Sequence, residues 1–232
     1  MAVDIDIDST HCQTYGLCKQ GATGVDRHGE RGYHPLLASV AGIGDVLHSR
    51  LREGVANSRH GAASFVAEAI TRARRAGATV PICLRADSGF YNHTVVQACR
   101  KQGVAYSITV KVTKAVRAVI AAIPKDAWTP ISYLLDGGAD VAETSYRPFG
   151  RKGRVTRLIV RRVRPTPGSQ LALFCDYDYH PFVTDRQGST LELEADTAAT
   201  PRSRTPSATS STASASTISP GGGLPPTPPG SR

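Results

Sequence analysis

Val3-Asp-Ile-Asp-Ile-Asp8 opens the chain on a strict alternation of apolar and acidic residues. Val80-Pro-Ile-Cys-Leu-Arg-Ala-Asp87-Ser-Gly-Phe90 sets a further aspartate directly after an apolar run. Period-two alternation is the pattern of a strand with one buried face, so Ile5 and Ile7 turn toward a core and Asp4, Asp6 and Asp8 share the opposite face. Aspartate is disfavoured inside strands, and three on one strand face call for a reason. The plain reading is a solvated strand face with turn-prone Asp near its end. The second stretch reads as a buried strand ending in Asp-Ser-Gly before a helix, the place where open α/β sheets bind ligands. The plain reading there is helix capping by Asp87 or Ser88.

Around these two stretches the body alternates strand and helix patterns. Residues 36–41 and 46–51 are short runs split by Gly42-Ile-Gly44, which predicts a hairpin. Ala62 to Arg75 places Phe65, Val66, Ala69, Ile70 and Ala73 at helical spacing, and Gly77 stops it. A second helix is expected from His93 to Gln102, a strand over 104–110, and a short helix from Lys114 to Ile123. Strands then follow at 131–135, 141–146, 155–164, 171–177 and 181–184, punctuated by Gly and Pro. The pattern predicts an α/β fold with mixed strand directions and a β-rich, antiparallel segment over about 104–185. No internal repeat is visible.

Composition shifts sharply near Asp196. The stretch 197–232 consists almost wholly of Ser, Thr, Pro, Ala and Gly, with only Ile218 and Leu224 as larger apolar residues. Such a segment cannot bury enough apolar surface to offset chain entropy, so a disordered tail at 197–232 and a folded body at 1–196 are expected. The formal net charge is +9, which favours a polyanionic partner such as nucleic acid. The five cysteines are scattered without a CxxC pair, which argues against a zinc site and for reduced thiols. The N-terminus has no basic region followed by an apolar run, and no stretch is apolar enough to span a membrane; neither export nor a membrane is expected.

Together, Asp8 and Asp87 propose a metal site. Mg2+ or Mn2+ prefers oxygen ligands and is commonly held by one or two carboxylates plus phosphates. Two such ions can activate a nucleophile and steady the leaving oxygen at a phosphodiester.

Asp-Ile-Asp8-Ser-Thr10, then Gly32-Tyr-His-Pro-Leu-Leu-Ala38, then Leu84-Arg-Ala-Asp87-Ser-Gly-Phe90 resemble, in order, the motifs of DDE transposases of bacterial insertion sequences. The likeness is to the group with a β-strand insertion between its second and third acidic residues, and covers about residues 3–196. It implies an RNase H-like mixed sheet with flanking helices. It makes Asp8 and Asp87 the first two catalytic acids and the ligands of Mg2+ or Mn2+. DNA is the implied partner, both element ends and target, and a homo-oligomer can form. No organic cofactor is implied, and the expected location is the bacterial cytoplasm at the nucleoid. Family members cut and join DNA with metal-bound water and then a 3′-hydroxyl as nucleophiles.

Two departures from the family pattern stand out. The N-terminal region that helps bind element ends is not in this sequence. The third acid should lie on a helix following Leu191-Glu-Leu-Glu-Ala-Asp196, with Glu192 and Glu194 on the lead-in, and the Ser/Thr/Pro tail stands there instead. Reading Thr197 to Ser211 with each codon's third base joined to the next codon's first two, permitted codons spell Arg-Arg-His-Ala-Glu-Ile-Glu-Asn-Ala-Ile-Arg-Asp-Leu-Lys. That resembles the family's third-acid helix. A one-base frameshift near codon 196 is therefore expected, and with it a truncated transposase domain without catalysis.

The densest basic region, Arg151, Lys152, Arg154, Arg157, Arg161, Arg162 and Arg164, is expected to meet the DNA backbone, the plain alternative being a solvated sheet face. Trp128 is a candidate for stacking on a base or, more simply, a packing residue. His11, His34 and His180 could ligate metal, although lone histidines are more often structural. Two other functions fit part of the pattern: a non-catalytic DNA-binding remnant that competes with intact transposase, and a phosphohydrolase with an aspartate nucleophile. The Gly32-Tyr-His-Pro-Leu-Leu-Ala38 run and the β segment argue against the latter.

Overall fold

The computed structural model describes residues 2–15, 18–22, 29–57, 59–132, 138–150, 153–165, 168 and 176–198. The expected strand at 171–177, for its first five residues, the end of the strand at 131–135, and the tail from 199 onward lie outside them.

One nine-stranded sheet carries the fold. Its strands are β1 (Val3–Ser9), β4 (Leu36–Val40), β5 (Val46–Arg50), β6 (Ile82–Ala86), β7 (Ala105–Thr109), β8 (Thr129–Ile131), β9 (Ala139–Tyr146), β10 (Thr156–Val163) and β11 (Asp178–Thr184). They lie in the order β5-β4-β1-β6-β7-β11-β10-β9-β8. β1, β6 and β7 run parallel side by side, and the hairpin β4–β5 joins β1 antiparallel. A small second pair, β2 (Cys12–Gln13) with β3 (Gly32–Tyr33), lies in the connection from β1 to β4. This is the mixed α/β sheet expected of an RNase H-like core. The strands of the β-rich segment do not fold apart from it: β11 pairs with β7 and continues the same sheet.

Three helices cover one face. α1 (Ala62–Arg75) buries Phe65, Val66, Ala69 and Ile70 and places Arg72, Arg74 and Arg75 in its last turn, where cations suit the helix dipole. α2 (His93–Lys101) is capped by Asn92, whose side chain accepts from the Val95 N–H. α3 (Lys114–Ala121) is capped likewise by Thr113. The cap of α2 therefore falls to Asn92 and not to Asp87 or Ser88, because a four-residue turn intervenes. The apolar faces of these helices meet Ile5, Ile7, Leu84, Tyr106, Ile108, Leu158 and Val160 in one core.

The opposite face carries Asp4, Asp6 and Asp8, as the alternation of β1 requires. A fourth helix, α4 (Thr190–Ala198), lies here, with Leu193 packed against Val141, Ile159 and Phe182. Residues 191–196 are therefore helix and not a lead-in to one, and the folded body runs at least to Ala198. The error came from the tail: its composition hid a helix that had already started before it.

Gly32 shows why the Gly-Tyr-His-Pro run begins with glycine. A Cβ there would lie 2.2 Å from the Cys12 carbonyl oxygen, so only a residue without one lets β2 and β3 pair. Among the described strands, the sheet's far edge is β8, with Pro130 in its middle, and its near edge is β5.

Candidate active site and nucleic-acid interface

β1 and β6 run in parallel with Val3 opposite Ile82 and Ile7 opposite Ala86. The constant offset of 79 places Asp8 opposite Asp87, one step beyond the last paired residues. Paired residues of parallel neighbours present their side chains to the same face, so both carboxylates stand together at the carboxyl ends of two adjacent strands. Sequence alone singled out each residue as a candidate; strand register brings them together.

Each aspartate is fixed by its own turn. Asp8 Oδ1 accepts from the Ser9 N–H at 2.7 Å, and Asp87 Oδ1 accepts from the Gly89 N–H at 2.8 Å. Among the described residues neither carboxylate has an ion-pair partner. Surrounding protein pushes the Asp87 carboxyl above its ordinary range, and the like charge of Asp8 pushes the same way. The Gly89 and Phe90 N–H groups and Lys111 oppose them. The residue remains exposed by area, so its environment is a crowded rim and not a closed cavity. Two carboxylates held by one oxygen each, without an ion-pair partner among the described residues, form a donor set suited to a hard divalent ion. No cluster of three or more His, Cys, Asp or Glu residues able to hold a metal occurs among the described residues.

Farther down the same face, the other two aspartates of β1 do structural work. Arg85 grips Asp6 with Nε to Oδ1 at 2.7 Å and Nη2 to Oδ2 at 2.9 Å, a two-pronged pair that fixes β6 against β1. Its Nη1 reaches Asp4 at 3.5 Å and donates to the Asp196 carbonyl at 3.0 Å, tying the last turn of α4 to the sheet. Burial raises the Asp4 carboxyl, and Arg85 and Arg186 offset this in part. Arg186 pairs with the Asp196 carboxylate at 2.8 Å. Glu194 is buried and meets Arg161 at 2.7 Å. Glu192 accepts from the Ser189 N–H at the start of its own helix. Each acid of α4 is thus engaged away from Asp8 and Asp87. Arg85, Arg186 and Arg161 were not assigned this latch from sequence, because only the crossing of α4 over the sheet brings distant residues into line.

The basic region does not form one stripe. Arg151 and Lys152 lie outside the described residues. Arg157 is paired to Glu143 through Nε and Nη2, both at 2.6 Å, and Arg161 to Glu194. Alternation along β10 sends Arg162 to the other face, where it meets Asp140 at 2.8 Å and lies over the Trp128 ring at 4.1 Å and the Tyr177 ring at 4.5 Å. Trp128 is half-buried, packed on the core beneath that guanidinium. Arg154 and Arg164 are exposed. His34 Nδ1 is bonded to the Ala56 carbonyl at 2.9 Å, a structural tie, and His180 pairs with Asp178.

A sequence profile described as transposase DDE domain, group 1, matches residues 1–197. The chain belongs to that family. No curated protein sequence matches it. Among solved structures, a piggyBac transposase, imaged by cryo-electron microscopy in a synaptic complex with hairpin DNA, is similar at a TM-score of 0.48 and 10% identity. The match covers 84% of this chain and 37% of that one. This chain thus spans little more than a third of the length of that protein.

Proposed function

We propose that this chain is a DDE transposase domain that binds DNA and holds a divalent metal between Asp8 and Asp87 but does not complete DNA cleavage or strand transfer. The observation that carries the reading is the in-register placement of the two aspartates at adjacent strand ends, each with one oxygen fixed and, among the described residues, no ion-pair partner. Mg2+ or Mn2+ bound there would supply an activated oxygen nucleophile and stabilise the leaving oxygen of a phosphodiester. The residues of the chain orient and charge-balance: Ser9 and Gly89 N–H groups hold the carboxylates, and Lys111 adds positive charge near Asp87.

The absence of catalysis follows, in this proposal, from the missing third acid. Glu194 and Asp196 are committed to Arg161 and Arg186, and Glu192 to its helix start, which supports a site with two carboxylates where the family uses three. A one-base frameshift near codon 196 accounts for the change of composition there. The nucleotide sequence across codons 190–232 tests this directly. The shifted frame is expected to continue as an Arg- and Glu-rich helix, and a stop or an unrelated sequence would remove the idea. For activity, the purified chain is incubated with duplex DNA carrying the sequences that flank its gene, in Mg2+ or Mn2+. Salt-sensitive binding without cleavage is expected. Robust metal-dependent strand transfer, abolished by Asp8→Ala, would overturn it. Binding without cleavage also lets the chain compete with an intact transposase for the same DNA.

A further inference from the structure

Arg85 stands two residues before Asp87 on β6, and its cross-strand partner Asp6 stands two residues before Asp8 on β1. Residues two apart on a strand share a face and lie about 7 Å apart. One ion pair therefore sits beneath the carboxylate pair, a single pleat away. Arg85 is buried, and its Nε and Nη2 hold both oxygens of Asp6 at 2.7 and 2.9 Å. Its Nη1 donates to the Asp196 carbonyl at 3.0 Å. That carbonyl lies in the last turn of α4, where C=O groups lack a partner within the helix and a cation meets the negative end of the dipole. One planar side chain thus joins β1, β6 and α4. Apolar patterning does not by itself complete the register of these strands. A slip of two residues keeps Ile5 and Ile7 on the core face, yet sets Asp87 opposite Asp6 in one direction and Arg85 opposite Asp8 in the other. The fork of Arg85 on Asp6 penalises both.

We propose that Arg85 is the positioning residue of the Asp8–Asp87 pair, and that through it the docking of α4 and metal binding at the pair favour each other. This rests on the metal-site reading above. Arg85 acts on the strands that carry the two aspartates and is not an ion-pair partner of either carboxylate. A metal ion needs both carboxylates within one small coordination sphere, and groups that orient metal ligands from behind set about ten- to hundredfold in affinity. The charge of Arg85 works the other way, since a nearby cation repels a metal ion. Its geometric and electrostatic effects therefore have opposite signs, and an experiment can separate them. α4 enters because the Asp196 carbonyl holds Nη1: when the last turn of the helix lifts, the guanidinium loses one of its anchors. Linkage makes the effect reciprocal, so a metal ion held at the pair also holds α4 down.

The test measures Mn2+ binding to the full chain by titration calorimetry, and backbone hydrogen exchange by mass spectrometry. Arg85→Lys keeps the charge and loses the fork, and is expected to weaken Mn2+ binding by about ten- to hundredfold. Arg85→Gln also removes the charge, and affinity should still fall, where electrostatics alone would raise it. Arg162→Lys, the same change at the Asp140 pair on the other face, should leave affinity unchanged. In the unaltered chain Mn2+ should slow exchange in α4 more than in α3, and in Arg85→Lys that difference should vanish. Arg85 variants that bind Mn2+ as well as the unaltered chain, or better, overturn the positioning role. An equal loss in Arg162→Lys overturns it too, because it marks general loosening. Exchange in α4 slowed no more than in α3 overturns the coupling, and the unaltered chain decides this even if the Arg85 variants fail to fold. An unaltered chain that binds no Mn2+ overturns the metal-site reading and this inference together.

Discussion

Asp87 sits where the fold does not want a charge. Surrounding protein and the neighbouring Asp8 both disfavour its ionised form, so ionised Asp87 subtracts from stability. The penalty is absent below the ordinary carboxylate value of about 3.9 and grows as pH rises from there through the raised folded value. Asp87→Asn keeps an oxygen for the Gly89 N–H and removes the charge. It is expected to raise the melting temperature at pH 7, with the gain shrinking toward about pH 4, as scanning calorimetry at the two pH values would show. An equal or lower melting temperature at pH 7 would mean that the turn, and not the charge, dominates. The same substitution should weaken Mn2+ binding measured by titration calorimetry. Gly32 is the reverse case, a residue chosen for what it lacks. Gly32→Ala should destabilise the chain by about 1–3 kcal/mol in urea unfolding, since the Cβ meets backbone that cannot move aside.

Among the elements, α4 has an anchoring that sequence periodicity could not forecast. Its apolar contact is essentially Leu193, and the rest of its hold is polar: Glu194 to Arg161, Asp196 to Arg186 and, through its carbonyl, to Arg85, and the Thr190 hydroxyl donating to Glu143. Breaking one member of a buried pair strands the other. Arg161→Ala is therefore expected to cost about 3–5 kcal/mol, whereas Arg161→Met combined with Glu194→Leu should recover most of it. Urea denaturation of the three proteins checks this, and a double variant no better than the single one would refute it. The elements that were legible in advance owe it to clear local signals: two-fold periodicity for β1, helical periodicity for α1, and for the β4–β5 hairpin two short runs split by Gly42-Ile-Gly44. α4 was missed because a nine-residue helix with one strong apolar anchor has little periodicity to read. The convergence of Asp8 and Asp87 needed a parallel register with an offset of 79, which no local pattern contains. Phe149 was unreadable for another reason: its φ of 59° is not one its residue type favours.

At the scale of the molecule, the positive charge is less available than the count implies. Arg157, Arg161 and Arg162 are each held by a carboxylate, which leaves Arg154 and Arg164 as the exposed arginines of that region among the described residues. If these two face DNA, Arg154→Ala and Arg164→Ala should each lower the slope of log affinity against log salt by about 0.9, one phosphate's worth. Fluorescence anisotropy across a salt series measures it. Arg157→Ala should instead reduce stability and leave the slope unchanged.

The sheet also decides how copies of this chain could meet. Pro130 has no N–H to offer, so β8 is a poor template for a further strand, whereas β5 contains no proline. A ribbon with one blunted margin can zip only through the other, and zipping of that kind satisfies itself after a single pairing. Among the described strands, edge-to-edge association would therefore halt at two copies, and the endless stacking that threatens a sheet of nine strands finds there no second margin from which to grow.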